Sequence, residues 1–179
     1  MEKLLVAGLE ELRDVGHEAL TVRTVAQRAG VSPATAYTYL VSKNHLFAEL
    51  FSRHIAGDDD VEVVGNTPIE RVQHAARSVV ASIVTEPALA AAVTPALLGS
   101  DPDVARLRMR IGTQFVSRFE AALRDPGSPD EPVDAAVLDV LVLTFFGALL
   151  QAGIGLMTYD DLADRLESAF AVIVRGNLS

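Results

Sequence analysis

The stretch VRTVAQRAGVSPATAYTYLV, residues 22–41, carries the spacing on which the fold prediction rests. Two short helices that cross closely need a small residue at the crossing, and Ala26 stands there. Four residues later, Gly30 supplies a left-handed turn, which glycine adopts without steric cost. Apolar residues at the other fixed positions are expected to hold both helices against a third: Val25, Ala29, Val31, Ala36 and Tyr39. The pattern predicts a helix-turn-helix, and the alternative is an ordinary helical hairpin turned by glycine.

The second helix of such a unit is predicted to contact DNA, because its N-terminal residues lie in the major groove. The residues expected to face DNA are Ser32, Pro33, Ala34, Thr35, Tyr37 and Thr38. Arg23, at the start of the preceding helix, has the reach for a bidentate contact to guanine. Lys43, at the start of the following helix, is placed for a phosphate, since its ammonium and the free N–H groups act together there.

The charge distribution permits this contact, although the net charge of the chain is −9. Residues 19–48 contain no Asp or Glu, while Arg23, Arg28 and Lys43 fall within the same window. Salt screens charges beyond about 10 Å, so a local basic patch on an acidic body can still bind phosphates.

Helix signals continue to the end of the chain and predict an all-α fold of about nine helices. Thr21, Ser32 and Ser42 are N-caps of successive helices. Later helix starts are marked by proline or by a capping box, at Pro68, Pro87, Pro102, Pro132 and Thr158. The helix that opens at Pro132 is predicted to run to Met157. We expect a three-helix DNA-binding domain over residues 1–45 and a helical ligand-binding and dimerisation domain over residues 46–179.

Four segments together resemble the DNA-binding signature of the TetR family: LTVR at 20–23, AQRAGVS at 26–32, TAYTYL at 35–40 and SKNHLF at 42–47. The resemblance covers roughly residues 4–51, and Leu40 stands where the family most often has Phe. It implies a homodimer that binds palindromic operator DNA, most often as a repressor, and that a small molecule releases. It also implies an effector pocket in the C-terminal domain and a dimer interface built from the last two helices. A cytoplasmic protein is expected separately, because the first residues lack the pattern of a secretory signal and the chain has no cysteine.

The apolar helix predicted after Pro132 agrees with that arrangement. It is apolar nearly all round, so it should be buried on two sides. One side is expected to meet the partner subunit together with the last helix, through Gly147, Gln151, Gly155, Leu166 and Phe170. The other side is expected to face a pocket for a small hydrophobic or acyl-type effector, lined by Met109, Phe115, Phe119, Leu141, Phe145 and Ala148.

Other classes of protein find less support. The chain has no cysteine, and its four histidines are scattered without acids at metal-ligand spacing, so no metal or cofactor is expected. No nucleophile elbow or pair of catalytic carboxylates is visible, so no catalytic residue is assigned. Asp134 and Asp139 argue against a membrane span over the long apolar stretch. The remaining alternative is an all-helical enzyme or a protein-interaction module whose N-terminal region only resembles a DNA-binding unit.

The segment PALAAAVTPALL, residues 87–98, followed by Asp101-Pro102-Asp103, is similar to regulators of lipid and steroid breakdown in actinobacteria.

Overall fold

The computed structural model describes residues 1–56 and 63–177. Within these ranges the chain forms nine helices and no strand, which confirms the predicted all-α fold. The helices are α1 (Glu2–Ala19), α2 (Val22–Arg28), α3 (Pro33–Tyr39), α4 (Lys43–Ala56), α5 (Pro68–Thr85), α6 (Pro87–Leu98), α7 (Pro102–Leu123), α8 (Ala135–Gly153) and α9 (Tyr159–Asn177).

The helices fall into two compact units. The first contains α1 to α4, α6 and the part of α7 that ends at Ile111, and the second contains α5, the rest of α7, α8 and α9. In the first unit α4 and α6 pack against each other and against α1. The predicted boundary at residue 45 falls inside α4. This helix belongs to the same compact unit as α1 to α3, because its apolar side is buried there. The division of roles near residue 45 stays a prediction.

Side-chain caps set most helix starts at the predicted residues. Thr21 accepts the N–H of Thr24 and Ser32 accepts that of Thr35, each at 3.1 Å. The start of α8 differs from the prediction, because Asp134 accepts the N–H groups of Ala136 and Val137 and the helix begins after it. α8 also ends earlier than predicted, at Gly153, and a turn follows in which Gly155 has φ +79°.

The burial expected for α8 is met on one side only. Val137, Leu141, Phe145 and Ala152 are buried, whereas Leu143 is 64% exposed. By length and composition α8 could cross a membrane, with a mean hydropathy of 2.0 over a window of which 22% is buried in the chain. Core and interface helices of proteins outside membranes share these properties. α8 therefore presents an apolar face that the described part of the chain leaves uncovered.

Candidate DNA-binding face and effector region

The turn between α2 and α3 has the geometry that the sequence predicts. Gly30 lies in the left-handed region with φ +68°, and the N–H of Val31 donates to the carbonyl of Ala26 at 3.0 Å. Ala26 and Ala36 are fully buried, which lets the two helices cross closely. Leu40 is also fully buried, so the leucine fills the core position in which the family most often has phenylalanine.

The predicted DNA-facing residues of α3 share one exposed surface. All six are exposed, while Ala36, which lies among them in sequence, is buried: Ser32, Pro33, Ala34, Thr35, Tyr37 and Thr38. The hydroxyls of this surface are already ordered, since Ser32 Oγ lies 2.8 Å from Thr35 Oγ1 and Thr38 Oγ1 donates to the carbonyl of Ala34. Their oxygens keep acceptor capacity, and the ring of Tyr37 is half exposed.

Tyr39 is not the buried anchor that the sequence analysis expected. Its side chain is 47% exposed, because α3 ends at this residue and Leu40 takes the core position instead. Ala29 and Val31 are half-buried, whereas Val25 and Ala36 are fully buried as expected. Tyr39 thus adds a second aromatic hydroxyl to the exposed surface of α3.

The three cations of the acid-free window have different surroundings. Arg23 is exposed and forms no ion pair with any residue in the described ranges. Arg28, in contrast, donates to Asp14 at 2.6 Å and to Glu11 at 2.7 Å. The hydrogen bond to Asp14 is the largest cause that raises the pKa of the Arg28 guanidinium above its usual value. The window is therefore free of acids in sequence but not in space, because α1 supplies the carboxylates that neutralise Arg28.

Lys43 is exposed, and its ammonium lies at the carboxyl end of α1. Nζ donates to the carbonyls of His17 and Glu18, at 3.2 and 3.4 Å. A cation at this end of a helix is stabilised by the helix dipole. Lys43 therefore has a structural contact, which the sequence did not indicate, beside its predicted phosphate contact.

The aromatic residues predicted to line an effector pocket form a closed cluster in the second unit. Phe145 contacts Phe115 and Phe119, with ring centroids 5.1 and 5.2 Å apart. Phe170 packs edge-on against Phe119 at 5.5 Å, and Phe146 packs against both Phe115 and Phe145. Leu141 is fully buried. The structure brings the predicted aromatic residues together, with the rings in contact.

Two other residues of the predicted pocket lie elsewhere. Met109, in the part of α7 that belongs to the first unit, is 75% exposed. Ala148 is half-buried and lines a shallow groove of about 320 Å³ between α8 and α9. The other residues of this groove are Leu143, Thr144, Gly147, Gln151, Met157, Arg165, Leu166 and Ala169. A bulky residue at position 148 would therefore obstruct this groove and not the aromatic cluster.

A larger cavity, of about 570 Å³, lies beside the buried guanidinium of Arg71 in the second unit. Arg71 donates to the carbonyls of Ala122 and Arg124, at 2.9 and 3.2 Å, and so satisfies the carboxyl end of α7. The cavity wall also includes Arg124, Asp125, Glu131 and Asp134. The sequence analysis missed this cavity, and its charged wall is a poor match for an acyl chain.

Of the predicted interface residues, Gly147 and Gln151 lie on the exposed face of α8. The structure places the other three residues differently. Leu166 and Phe170 are 1% and 0% exposed, so they belong to the core of the second unit, where Leu166 also lines the groove between α8 and α9. Gly155 lies in the turn after α8, so it is not part of the helix that carries Gly147 and Gln151, and its interface role stays a prediction. The residues that do offer apolar surface on α8 and after it were missed: Val140, Leu143, Phe146, Leu150, Ile154 and Leu156.

Comparisons with known proteins agree with this geometry. Residues 4–50 match the family model described as bacterial regulatory proteins, tetR family. An uncharacterised HTH-type transcriptional regulator of Mycobacterium tuberculosis H37Rv is 42% identical, over 97% of this chain and 80% of its own length. The HTH-type transcriptional repressor KstR of Mycolicibacterium smegmatis is 31% identical, over 97% of this chain and 86% of its own length.

A solved structure supports the fold over nearly the whole chain. FadR of Thermus thermophilus, a TetR family transcriptional repressor solved in complex with lauroyl-CoA, is 21% identical with a TM-score of 0.74. The alignment covers 99% of this chain and 95% of that one. At this identity the likeness establishes the all-helical fold.

Proposed function

The chain belongs to the TetR family of bacterial regulatory proteins, and from that premise we propose that it is a cytoplasmic, dimeric repressor that an acyl-type effector releases from its operator. As a member of this family it is a transcriptional regulator and not an enzyme. The single observation that carries the DNA-binding part is the exposed surface of α3, on which Tyr37 and Tyr39 flank Thr38.

The length of α3 favours a dimer on a two-fold operator. The helix has seven residues, so one copy spans only a few base pairs and a specific site needs two copies. The uncovered face of α8 offers the surface for pairing, since it exposes Leu143 and Leu150 beside Gly147. Contiguous apolar surface of this kind marks protein interfaces. The operator should then be a pseudo-palindrome with half-sites about one helical turn apart.

An acyl chain matches the aromatic cluster in chemistry. The cluster between α7 and α8 consists of phenylalanine rings and aliphatic side chains, and Thermus thermophilus FadR is a relative in fold that was solved with lauroyl-CoA. Since the rings are in contact, an acyl chain has to part them, and the effector would bind a second arrangement of these side chains. Release of operator requires only that the effector bind the non-DNA-binding state more tightly.

The DNA-binding proposal is tested by enriching random duplex DNA on the purified chain and measuring affinity for the enriched site. Arg23→Ala should cost about 1–3 kcal/mol on that site and less on random duplex if the guanidinium reads a base. Arg28→Gln is the matched control, because Arg28 pairs with α1 and should affect operator affinity far less. If no sequence is enriched, or if binding does not weaken steeply with salt, the proposal is refuted.

The effector proposal is tested with lauroyl-CoA added to the complex of protein and enriched operator. A loss of DNA affinity of about 100-fold corresponds to about 2.7 kcal/mol of coupling, and operator DNA must weaken lauroyl-CoA binding by the same factor. Fluorine-labelled phenylalanine reports the location: signals of Phe115, Phe119 and Phe145 should shift when lauroyl-CoA binds, and those of Phe47 and Phe51 report whether α4 responds as well. Tight lauroyl-CoA binding that leaves operator affinity unchanged would contradict the switch.

A further inference from the structure

The first turns of α4 and α7 share one pair of side chains. Ser42 Oγ accepts the backbone N–H of His45 at 3.1 Å and thereby caps α4. The same hydroxyl donates its proton to Oδ2 of Asp101, with an oxygen–oxygen distance of 3.1 Å. The second carboxylate oxygen, Oδ1, accepts the N–H of Asp103 at 3.0 Å and caps α7. One hydroxyl and one carboxylate therefore secure two helix starts that lie 59 residues apart in sequence.

Both partners are held in place by their surroundings. Ser42 and Asp101 are both half-buried, and Leu40, two residues before Ser42, is fully buried at the end of α3. On the other side, the guanidinium of Arg108 fixes the turn that precedes Asp101. It donates to the carbonyls of Leu97 and Gly99, at 2.6 and 2.5 Å. The hydrogen bond thus joins two ordered segments of the first unit.

The two segments belong to helices with different predicted roles. Ser42 lies between the exposed helix α3 and the start of α4. Asp101 precedes α7, which continues without interruption from Pro102 to Leu123 and carries Phe115 and Phe119 of the aromatic cluster. A change in the position of the α7 start is therefore passed to the segment that follows α3.

We propose that the Ser42–Asp101 hydrogen bond is a link, beside the ion pair of Arg110 on α7 with Glu49 on α4, through which the position of α7 sets that of α4 and so the affinity of α3 for DNA. This inference rests on the proposed function, since it concerns how that DNA-binding unit is controlled. Asp101 is a positioning residue that acts through Ser42.

The chemistry of the carboxylate provides a selective test. Asp101 uses one oxygen for each helix, whereas asparagine carries an NH2 group in place of one of these oxygens and so cannot accept a proton at both positions. Asp101→Asn therefore keeps one of the two accepted hydrogen bonds at most, and the Ser42 hydroxyl loses the charged acceptor for its proton. It also removes a negative charge, which by charge alone strengthens binding to polyanionic DNA. The sign of the effect consequently separates the two explanations: the link predicts weaker operator binding, and the charge predicts stronger binding.

Asp134→Asn is the matched control. Asp134 also precedes a long helix, but its Oδ1 alone accepts both N–H groups of α8, so the amide oxygen of asparagine can replace it. Both variants are compared with the unaltered chain by operator affinity and by amide hydrogen exchange. In Asp101→Asn we expect about tenfold weaker operator binding and faster exchange at the His45 amide. In Asp134→Asn we expect neither change. Unchanged exchange at His45, or unchanged or stronger operator binding, in Asp101→Asn would overturn the link.

A double-mutant cycle with Ser42→Ala provides the second measurement. Because both substitutions remove the same hydrogen bond, the double variant should bind operator no more weakly than Ser42→Ala alone. Additive losses would overturn the link even if each single variant weakens binding. Failure of the proposed function has a different signature, in which the unaltered chain enriches no operator; exchange at His45 then still decides whether the two helix starts are coupled.

Discussion

The helices α1 to α4 and the hairpin of α8 and α9 are stabilised by different interactions. Charged groups connect the first region, as in the pairing of Arg28 on α2 with Glu11 and Asp14 on α1. Phenylalanine rings dominate the packing of the second, and the opposite face of α8 remains apolar and exposed. The first region therefore adds ion pairs between its helices to a buried apolar core, whereas α8 exposes an apolar face that favours a partner.

The largest effect is expected at the buried side of α8. Phe145→Ala should lower the free energy of unfolding by about 3–5 kcal/mol, because the ring is fully buried and packs against Phe115 and Phe119. Urea denaturation followed by circular dichroism measures the change. Phe146→Ala is the comparison on the next residue, whose ring also contacts Phe115 and Phe145 but is 36% exposed, so its loss should be smaller. Equal losses for both variants would show that the cluster does not distinguish the two faces.

A substitution on the exposed side of the same helix should affect dimer formation and leave the stability of the protomer unchanged. Leu143→Glu places a charge on apolar surface, so we expect dimer dissociation to become at least about 100-fold easier while the protomer keeps its fold. Sedimentation equilibrium gives the dissociation constant. Val6→Glu, at a comparably exposed apolar residue of α1, is the control and should leave the dimer intact. A dimer of unaltered affinity in Leu143→Glu would place the interface elsewhere.

Local features of the chain could be predicted from the sequence, whereas contacts between separate helices could not. The start of α3, its turn at Gly30 and its exposed residues follow from signals within about ten residues, and the structure agrees with them. The burial of Leu166 and Phe170 within the protomer could not be predicted in this way. A row of apolar residues along a helix does not indicate whether the helix that covers it belongs to the same chain or to a partner. Ion pairs such as Arg28 with Asp14 were missed for the same reason, since they join separate helices.

The stability that ion pairs give to the region of α1 to α4 should fall in acid, whereas the packing of the phenylalanine rings does not depend on pH. Glu49 on α4 accepts hydrogen bonds from Arg53 and Arg110, both at 2.9 Å. Partial burial raises the pKa of the Glu49 carboxyl, but the two guanidinium groups outweigh burial and leave the pKa below its usual value of 4.5. The ionised carboxylate therefore stabilises the fold above pH 4.5, and this contribution is lost as the pH falls through the lower folded-state pKa.

Glu49→Gln should accordingly lower the free energy of unfolding by about 1–2 kcal/mol near pH 7 and make stability less dependent on pH in the acid range. Urea denaturation at a series of pH values measures both effects. Glu131→Gln is the control at an exposed residue of the second unit, with no ion pair among the described residues. A Glu49→Gln variant that keeps the full acid dependence of the unaltered chain would assign that dependence to other carboxylates.

The smallest effect concerns two glycines inside helices, and it separates stability from assembly. A Cβ added at Gly147 on α8 or at Gly112 on α7 would meet no atom within 4 Å in the chain. Replacement by alanine should therefore stabilise either helix by about 0.5–1 kcal/mol, because glycine loses more backbone entropy on folding. Gly147 lies on the exposed apolar face of α8, where a partner helix that approaches closely would meet the new methyl group. Gly147→Ala should then raise the urea midpoint of the protomer and weaken the dimer, whereas Gly112→Ala should raise the midpoint alone. If Gly147→Ala leaves the dimer dissociation constant unchanged, close helix approach at this glycine is refuted, and the larger side chains such as Leu143 would define the interface.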